Sequence, residues 1–229
     1  NQLWFADPER KRILRLNNYL QVMLYVNTAQ VPPETLTSWY DLLKPEYQGR
    51  IASYDPTVSG AGVSTASYLR KALGDDYVRR LYVDQRPVFT RDHRQLADWL
   101  ARGTYPIVLS LREVEFSQVQ RDGFPVAPVR HPPEAPGHVS AGFGLLGVLE
   151  PAPHPAAAQV FANWIAGPEG MQVWSRAQKI VPVRTDLDAS FAAEQMLDPN
   201  IHNYLDSFDW DFVVSFRQQT MDYLRGLLR

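Results

Sequence analysis

The sequence predicts an α/β fold built around a mainly parallel sheet. Three observations carry this expectation. Short apolar, β-branched or aromatic segments alternate with longer segments of helical spacing through the middle of the chain. Glycines and prolines punctuate the boundaries between them. The 229 residues, 45% apolar and 21% charged, suffice for a large core in one or two domains.

The elements follow in order. Residues 6–16, "ADPERKRILRL", are expected to form a short helix with Pro8 in its first turn. Residues 19–27, "YLQVMLYVN", read as one buried strand. The double proline Pro32-Pro33 breaks regular structure, and Thr37 or Ser38 can cap the turn before Trp39-Tyr40-Asp41-Leu42-Leu43. "RIASY" is a short strand, followed by a loop and an amphipathic helix from Val63 to Leu73 that Gly74 closes. Residues 75–83 form the next helix and "RPVFT" the next strand. Leu96, Trp99 and Leu100 mark a helix over 93–103, with Gly103 at its end. "YPIVLSL", 105–111, is a strand, "REVEFSQVQRDG" a helix and "FPVAPV" another strand. After a proline-rich loop come an apolar strand over 139–150, helices over 154–167 and 168–178, and an extended exit, "KIVPVRTDL". The tail from Asp198 is expected to hold one or two helices.

Composition excludes several classes of function. The formal charge of −2 and the absence of basic runs interleaved with aromatics argue against nucleic acid. With no cysteine there is no thiolate metal site, thiol nucleophile or disulfide. No apolar run reaches the length of a membrane span. The start, "NQLWFADPER", has neither Met nor a leader pattern and reads as a processed or truncated product. The histidines, His93, His131, His138, His154 and His202, form no HxH or HExxH pair. Ser59 does not stand in GxSxG, and the carboxylate pairs Asp75-Asp76 and Glu113/Glu115 have the pattern of solvated helix faces.

The loop Asp55–Gly62, "DPTVSGAG", is the chief candidate site. It joins a strand to a helix, where the first backbone N–H groups have no partner within the helix and the dipole favours negative charge. Ser59 adds a hydroxyl donor, and Gly60 and Gly62 let the backbone approach a ligand. A carboxylate or phosphate is the natural guest. The alternative is that Ser59 is only an N-cap and the glycines only a turn. Nucleotide motifs do not fit: no Lys follows either glycine, and "GAGVST" lacks the third glycine of the dinucleotide fingerprint. In an open α/β sheet ligands gather at the carboxyl ends of strands. Arg112 and Glu113 stand there after "YPIVLSL", as do Arg91, Asp92 and His93 after "RPVFT". An arginine in that place can clamp an oxyanion.

Several segments together resemble the type 2 periplasmic solute-binding proteins of ATP-driven (ABC) importers, in the ferric-binding-like branch. They are "PETLTSWYDLLKPEYQGRIASYDPTVSGAG", "ARGTYPIVLS" and "FGLLGVLEPAPHPAAAQVFANWIAGPEGMQVWSRAQKIVPVRTDL", which are collinear within Tyr19–Leu187. The resemblance implies a non-enzymatic, two-lobed protein that closes on a small ligand, needs no cofactor and works with a membrane permease in the periplasm or tethered outside the cytoplasm. It implies a remnant of the first lobe and hinge over 1–24 and the second lobe over 25–138, with the ligand loop at 55–62. Return strand and first-lobe helices would fill 139–185, and C-terminal helices on the second lobe 186–229. It also implies that Ser59, Gly60 and Ala61 contact an anionic part of the ligand. Thr57 in the same loop is a further candidate, and Arg91, His93, Arg112 and Glu113, from their strand-end positions, are the second-lobe candidates for the remaining contacts. Ferric members carry adjacent tyrosines where this chain reads Leu111-Arg112-Glu113-Val114. An arginine opposes a hard cation, so a small anion is expected in preference to ferric iron, while Glu113 leaves a metal open. Much of the first lobe that family members carry before residue 19 is expected to be missing, which would leave the helix over 154–167 open to a partner or a second copy. A ligand-sensing receptor ectodomain is the first alternative, and an enzyme on the same scaffold the second.

Overall fold

A computed structural model describes residues 5–130, 132–135, 137–140, 144–196, 204–206 and 209–228. His131 and His202 lie outside the described residues. The chain divides into two compact units. The first holds Asn1–Gln21, His138–His202 and Asp206–Phe212; the second holds Val22–Gly137, Asn203–Leu205 and Val213–Arg229.

The first unit opens on a turn rather than the helix expected over 6–16. The Asp7 carboxylate accepts the backbone N–H groups of Lys11, Arg12 and Ile13 at 2.9, 3.1 and 2.8 Å. A side chain that takes three successive donors offers the backbone an alternative to the helix ladder. Burial would raise the Asp7 pKa, but these amides bring it down to about 2. The chain then enters β1 (Leu14–Arg15) and β2 (Tyr19–Gln21).

The expected strand over 19–27 is two strands, because the chain passes into the second unit after Gln21. There it continues as β3 (Leu24–Asn27), β4 (Ile51–Tyr54), helix α1 (Ala61–Arg79), β5 (Val88–Thr90) and α2 (His93–Arg102). β6 (Ile107–Leu109), α3 (Glu113–Arg121) and β7 (Val126–Val129) complete the series. Back in the first unit, β8 (His138–Ser140) pairs antiparallel with β2, and β9 (Leu145–Leu146) with β1. Helices α4 (Pro155–Ala166) and α5 (Pro168–Gln178) follow. Leu16, Ile165, Met171 and Val183 form the core of this unit. Along α4, Val160, Phe161 and Trp164 stay 70%, 50% and 44% exposed. The last helix, α6 (Arg217–Leu227), belongs to the second unit and packs along α1.

The second unit is a five-stranded sheet in the order β5-β4-β6-β3-β7. β4 runs parallel to β5 and β6, whereas β3 runs antiparallel to β6 and β7. The sheet is therefore mixed, with two parallel and two antiparallel pairings. β4, β5, β6 and β7 share a direction, and β3 runs against them. Strand alternation explains its two buried faces. Leu24, Val26, Ile51, Ile107 and Leu109 face a core with Leu69, Tyr77, Leu81 and Trp39, while Tyr25, Ala52 and Val108 face Leu96, Leu100 and Phe116. The Trp39–Leu43 turn is capped by Ser38, whose side chain accepts the Tyr40 N–H at 3.1 Å. Asn27 is buried and donates to the Leu100 and Ala101 carbonyls, satisfying the end of α2.

Candidate functional site

The shared direction of β4, β5 and β6 brings three loops to one edge of the second unit's sheet: Asp55–Gly60, Arg91–Asp92 and Ser110–Arg112. All eight predicted site residues lie in these loops or in the first residue of the following helix. Named contacts connect the loops. The Tyr54 ring stacks on His93, with centroids 4.3 Å apart and planes 21° apart. Asp55 pairs with Arg91 at 2.8 Å. The charges of Arg112 and Glu115 act on His93.

Asp55 shapes the first loop. Its carboxylate accepts the Thr57 amide at 2.8 Å and the Thr57 hydroxyl at 2.6 Å. Partial burial would raise its pKa, but these donors and Arg91 hold it below the ordinary carboxylate range. The Thr57 hydroxyl is thus committed within the loop. Gly60, not Ser59, is the N-cap residue of α1, and among the described residues no side chain caps this end. With φ at 143°, Gly60 lies against the Tyr54 ring, which a Cβ would meet at 3.3 Å. The first amides of a helix have no partner within it, and here no capping side chain takes them among the described residues.

Arg91 and Arg112 each already hold a carboxylate. Arg112 makes a forked pair with Glu115, with its Nε 3.0 Å from Oε2. Its side chain remains 52% exposed, so the guanidinium keeps a surface that a second anion can reach. Glu113 accepts the Tyr25 hydroxyl at 3.2 Å and the Ser117 hydroxyl at 3.3 Å. Among the described residues no three His, Asp or Glu side chains converge as metal ligands do.

Burial and the charge of Arg112 lower the His93 pKa, against the pull of Glu115 and Asp92. Its Nδ1 is buried without a partner among the described residues, which also disfavours the charged ring. The folded state therefore binds this proton more weakly than the unfolded chain. The resulting stability is complete above the ordinary value of about 6.5 and is lost as pH falls through the folded value. His93→Gln is expected to flatten the fall in unfolding free energy as the pH drops below about 6.5. Urea titrations across that range check it; an unchanged slope would rule out His93 as the source.

Three contributors were not among the predicted site residues. Tyr54 ends β4 and Asp55 opens the loop that follows, and their roles depend on His93 and Arg91 from another loop. Ser110 follows β6 with φ at 64°, and its buried hydroxyl has no partner among the described residues. A serine between Leu109 and Leu111 at a strand end was the available signal.

A sequence model described as bacterial extracellular solute-binding protein matches residues 17–177. No curated protein sequence matches the chain. Solved structures share its fold. Ferric iron-binding protein A of Mannheimia haemolytica, in an open conformation, is 13% identical with a TM-score of 0.71, covering 98% of this chain and 71% of that one. The Trichodesmium IdiA (FutA) protein, in complex with iron and citrate, is 16% identical with a TM-score of 0.70, covering 99% and 73%. AfuA of Actinobacillus pleuropneumoniae, with fructose-6-phosphate bound, is 18% identical with a TM-score of 0.66, covering 95% and 68%. The family is one of binding proteins and implies a periplasmic or extracytoplasmic location; no helix among the described residues is long and apolar enough to cross a membrane. With the match spanning 161 of 229 residues (17 to 177) and the fold agreeing, the chain belongs to the bacterial extracellular solute-binding proteins, of the type 2 periplasmic architecture used by ABC importers.

Proposed function

We propose that this chain captures a small anionic or oxyanion-bearing solute for an ABC importer and delivers it to the membrane permease. Ser59, Gly60 and Ala61 hold the anionic group, and Arg91, His93, Arg112 and Glu113 supply the flanking contacts. The observation that carries this reading is the start of α1. Among the described residues no side chain caps it, its dipole favours an anion, and the loops beside it carry the exposed faces of Arg91 and Arg112. Citrate and fructose-6-phosphate, present in two proteins of the same fold, are carboxylate and phosphate ligands of the chemistry this end accepts. The exposed faces of the two paired guanidiniums are donors suited to such an oxyanion.

Native mass spectrometry of the purified full chain is expected to show a retained small molecule. Calorimetry with citrate, inorganic phosphate and fructose 6-phosphate is expected to find binding of at least one. Ser59→Ala combined with Arg112→Ala should weaken that binding on the order of 100-fold or more, since two hydrogen bonds to a charged group are removed. Unchanged affinity in the double variant would sink the assignment of this site.

A further inference from the structure

We infer that Arg225, on the last helix, is a positioning residue for the anion-holding loop; the inference rests on the solute-binding reading above. Asp55 organises only the first half of that loop, through Thr57 and Arg91. The second half, Val58–Gly60, leads into a helix end with no side-chain cap among the described residues. At the junction of the two halves the Thr57 carbonyl accepts Nε of Arg225 at 2.8 Å, from 168 residues further along the chain. The Thr57–Val58 peptide is planar and trans. Fixing its carbonyl therefore fixes the direction of the Val58 N–H and the entry into Ser59, Gly60 and Ala61.

Arg225 is itself anchored. Its Nη1 lies 3.4 Å from Asp222, one turn earlier, and Asp222 also accepts Gln218 at 3.0 Å. The helix that carries it is held to α1 by other groups. Leu224 is buried in the α1 core, the Arg70 guanidinium lies 4.5 Å from the Tyr223 ring centroid, and the Tyr223 hydroxyl donates to the Asp75 carbonyl at 3.3 Å. Arg225 thus spans from a helix packed along α1 to the loop at the start of α1. A loop held in its binding geometry before the ligand arrives loses less entropy on binding. Arg225 accordingly raises affinity through the Thr57 carbonyl, without a place in the ligand-contact set.

The test compares Arg225→Ala, Arg225→Lys and Arg70→Ala with the parent protein. Arg70→Ala loosens the same helix pair by removing the guanidinium's contact with the Tyr223 ring and its 3.4 Å hydrogen bond to the Thr220 hydroxyl, but leaves the loop contact alone. The readouts are the unfolding midpoint, calorimetric affinity for citrate, inorganic phosphate and fructose 6-phosphate, and hydrogen exchange of the amides of residues 58–61. Arg225→Ala is expected to weaken anion binding about fivefold or more and to speed exchange of those amides. Arg225→Lys should recover part of both, and Arg70→Ala should lower the midpoint with affinity unchanged. Wild-type affinity in Arg225→Ala overturns the inference, as does an equal affinity loss in Arg70→Ala, which would mean general loosening. A parent protein that binds none of the three anions fails one step earlier: it overturns the anion reading and this inference with it.

Discussion

Gly62→Ala is expected to destabilise the second unit by about 3 kcal/mol or more and to abolish ordered anion binding with it. Inside a helix, alanine is normally about 1 kcal/mol better than glycine, so the sign depends on what the methyl meets. Here it would stand 2.4 Å from the Tyr54 carbonyl oxygen and 2.6 Å from that of Asp55. Both are backbone atoms at the end of β4, where the Asp55 amide is bonded to the Thr90 carbonyl at 2.9 Å. Neither can retreat without opening the β4–β5 pairing, so α1 must shift outward from the sheet. That shift would unpack Ala66 and Leu69, which are fully buried. Urea unfolding of the variant checks the expectation. Stability equal to the parent's would show that α1 can slide at no cost and that close approach of helix and strand is not required.

Trp39→Ala should have an effect of similar size, about 3–5 kcal/mol. Trp39 is 2% exposed and joins three segments. Its indole N–H donates to the Ala135 carbonyl at 2.9 Å, and its own carbonyl accepts the Tyr77 hydroxyl at 2.7 Å. Truncation opens a cavity and orphans the Ala135 carbonyl at once. Trp39→Phe keeps most of the ring volume and removes only the indole donor, so about 1–2 kcal/mol is expected for it. Equilibrium unfolding of the pair separates the two contributions. Equal losses would mean that the hydrogen bond, not the ring volume, dominates; a parent-like Ala variant would remove Trp39 from the core argument.

Local pattern revealed much of this architecture. α2 is legible because Leu96 and Leu100 lie on one face and Gly103 follows in the left-handed conformation that ends a helix. α4 and α5 are legible because Gly167-Pro168 divides them. Where the reading missed, a partner distant in sequence or a side chain competing for backbone donors decided the outcome. The Asp7 carboxylate captures amides that a helix needs. The run over 19–27 is uniformly apolar, and nothing local marks Gln21 as the point where it leaves one unit for the other. Strand direction is equally invisible locally, since an antiparallel β3 presents the same alternation of Leu24, Tyr25 and Val26 as a parallel one.

By itself, the sequence determined the α/β class, the strand-to-helix junction at Ser59-Gly60-Ala61 and the strand-end positions of Arg91, His93, Arg112 and Glu113. These follow from short-range rules: side-chain period, helix-end chemistry and the steric freedom of glycine. Only the tertiary structure decided how those residues are engaged. Asp55 takes Arg91 from 36 residues away, Tyr54 stacks on His93 in the next loop, and Arg225 reaches the Thr57 carbonyl from the far end of the chain. Such contacts carry no periodicity of their own, because they exist only once parallel strands have brought separate loops to one edge and a terminal helix has packed beside them.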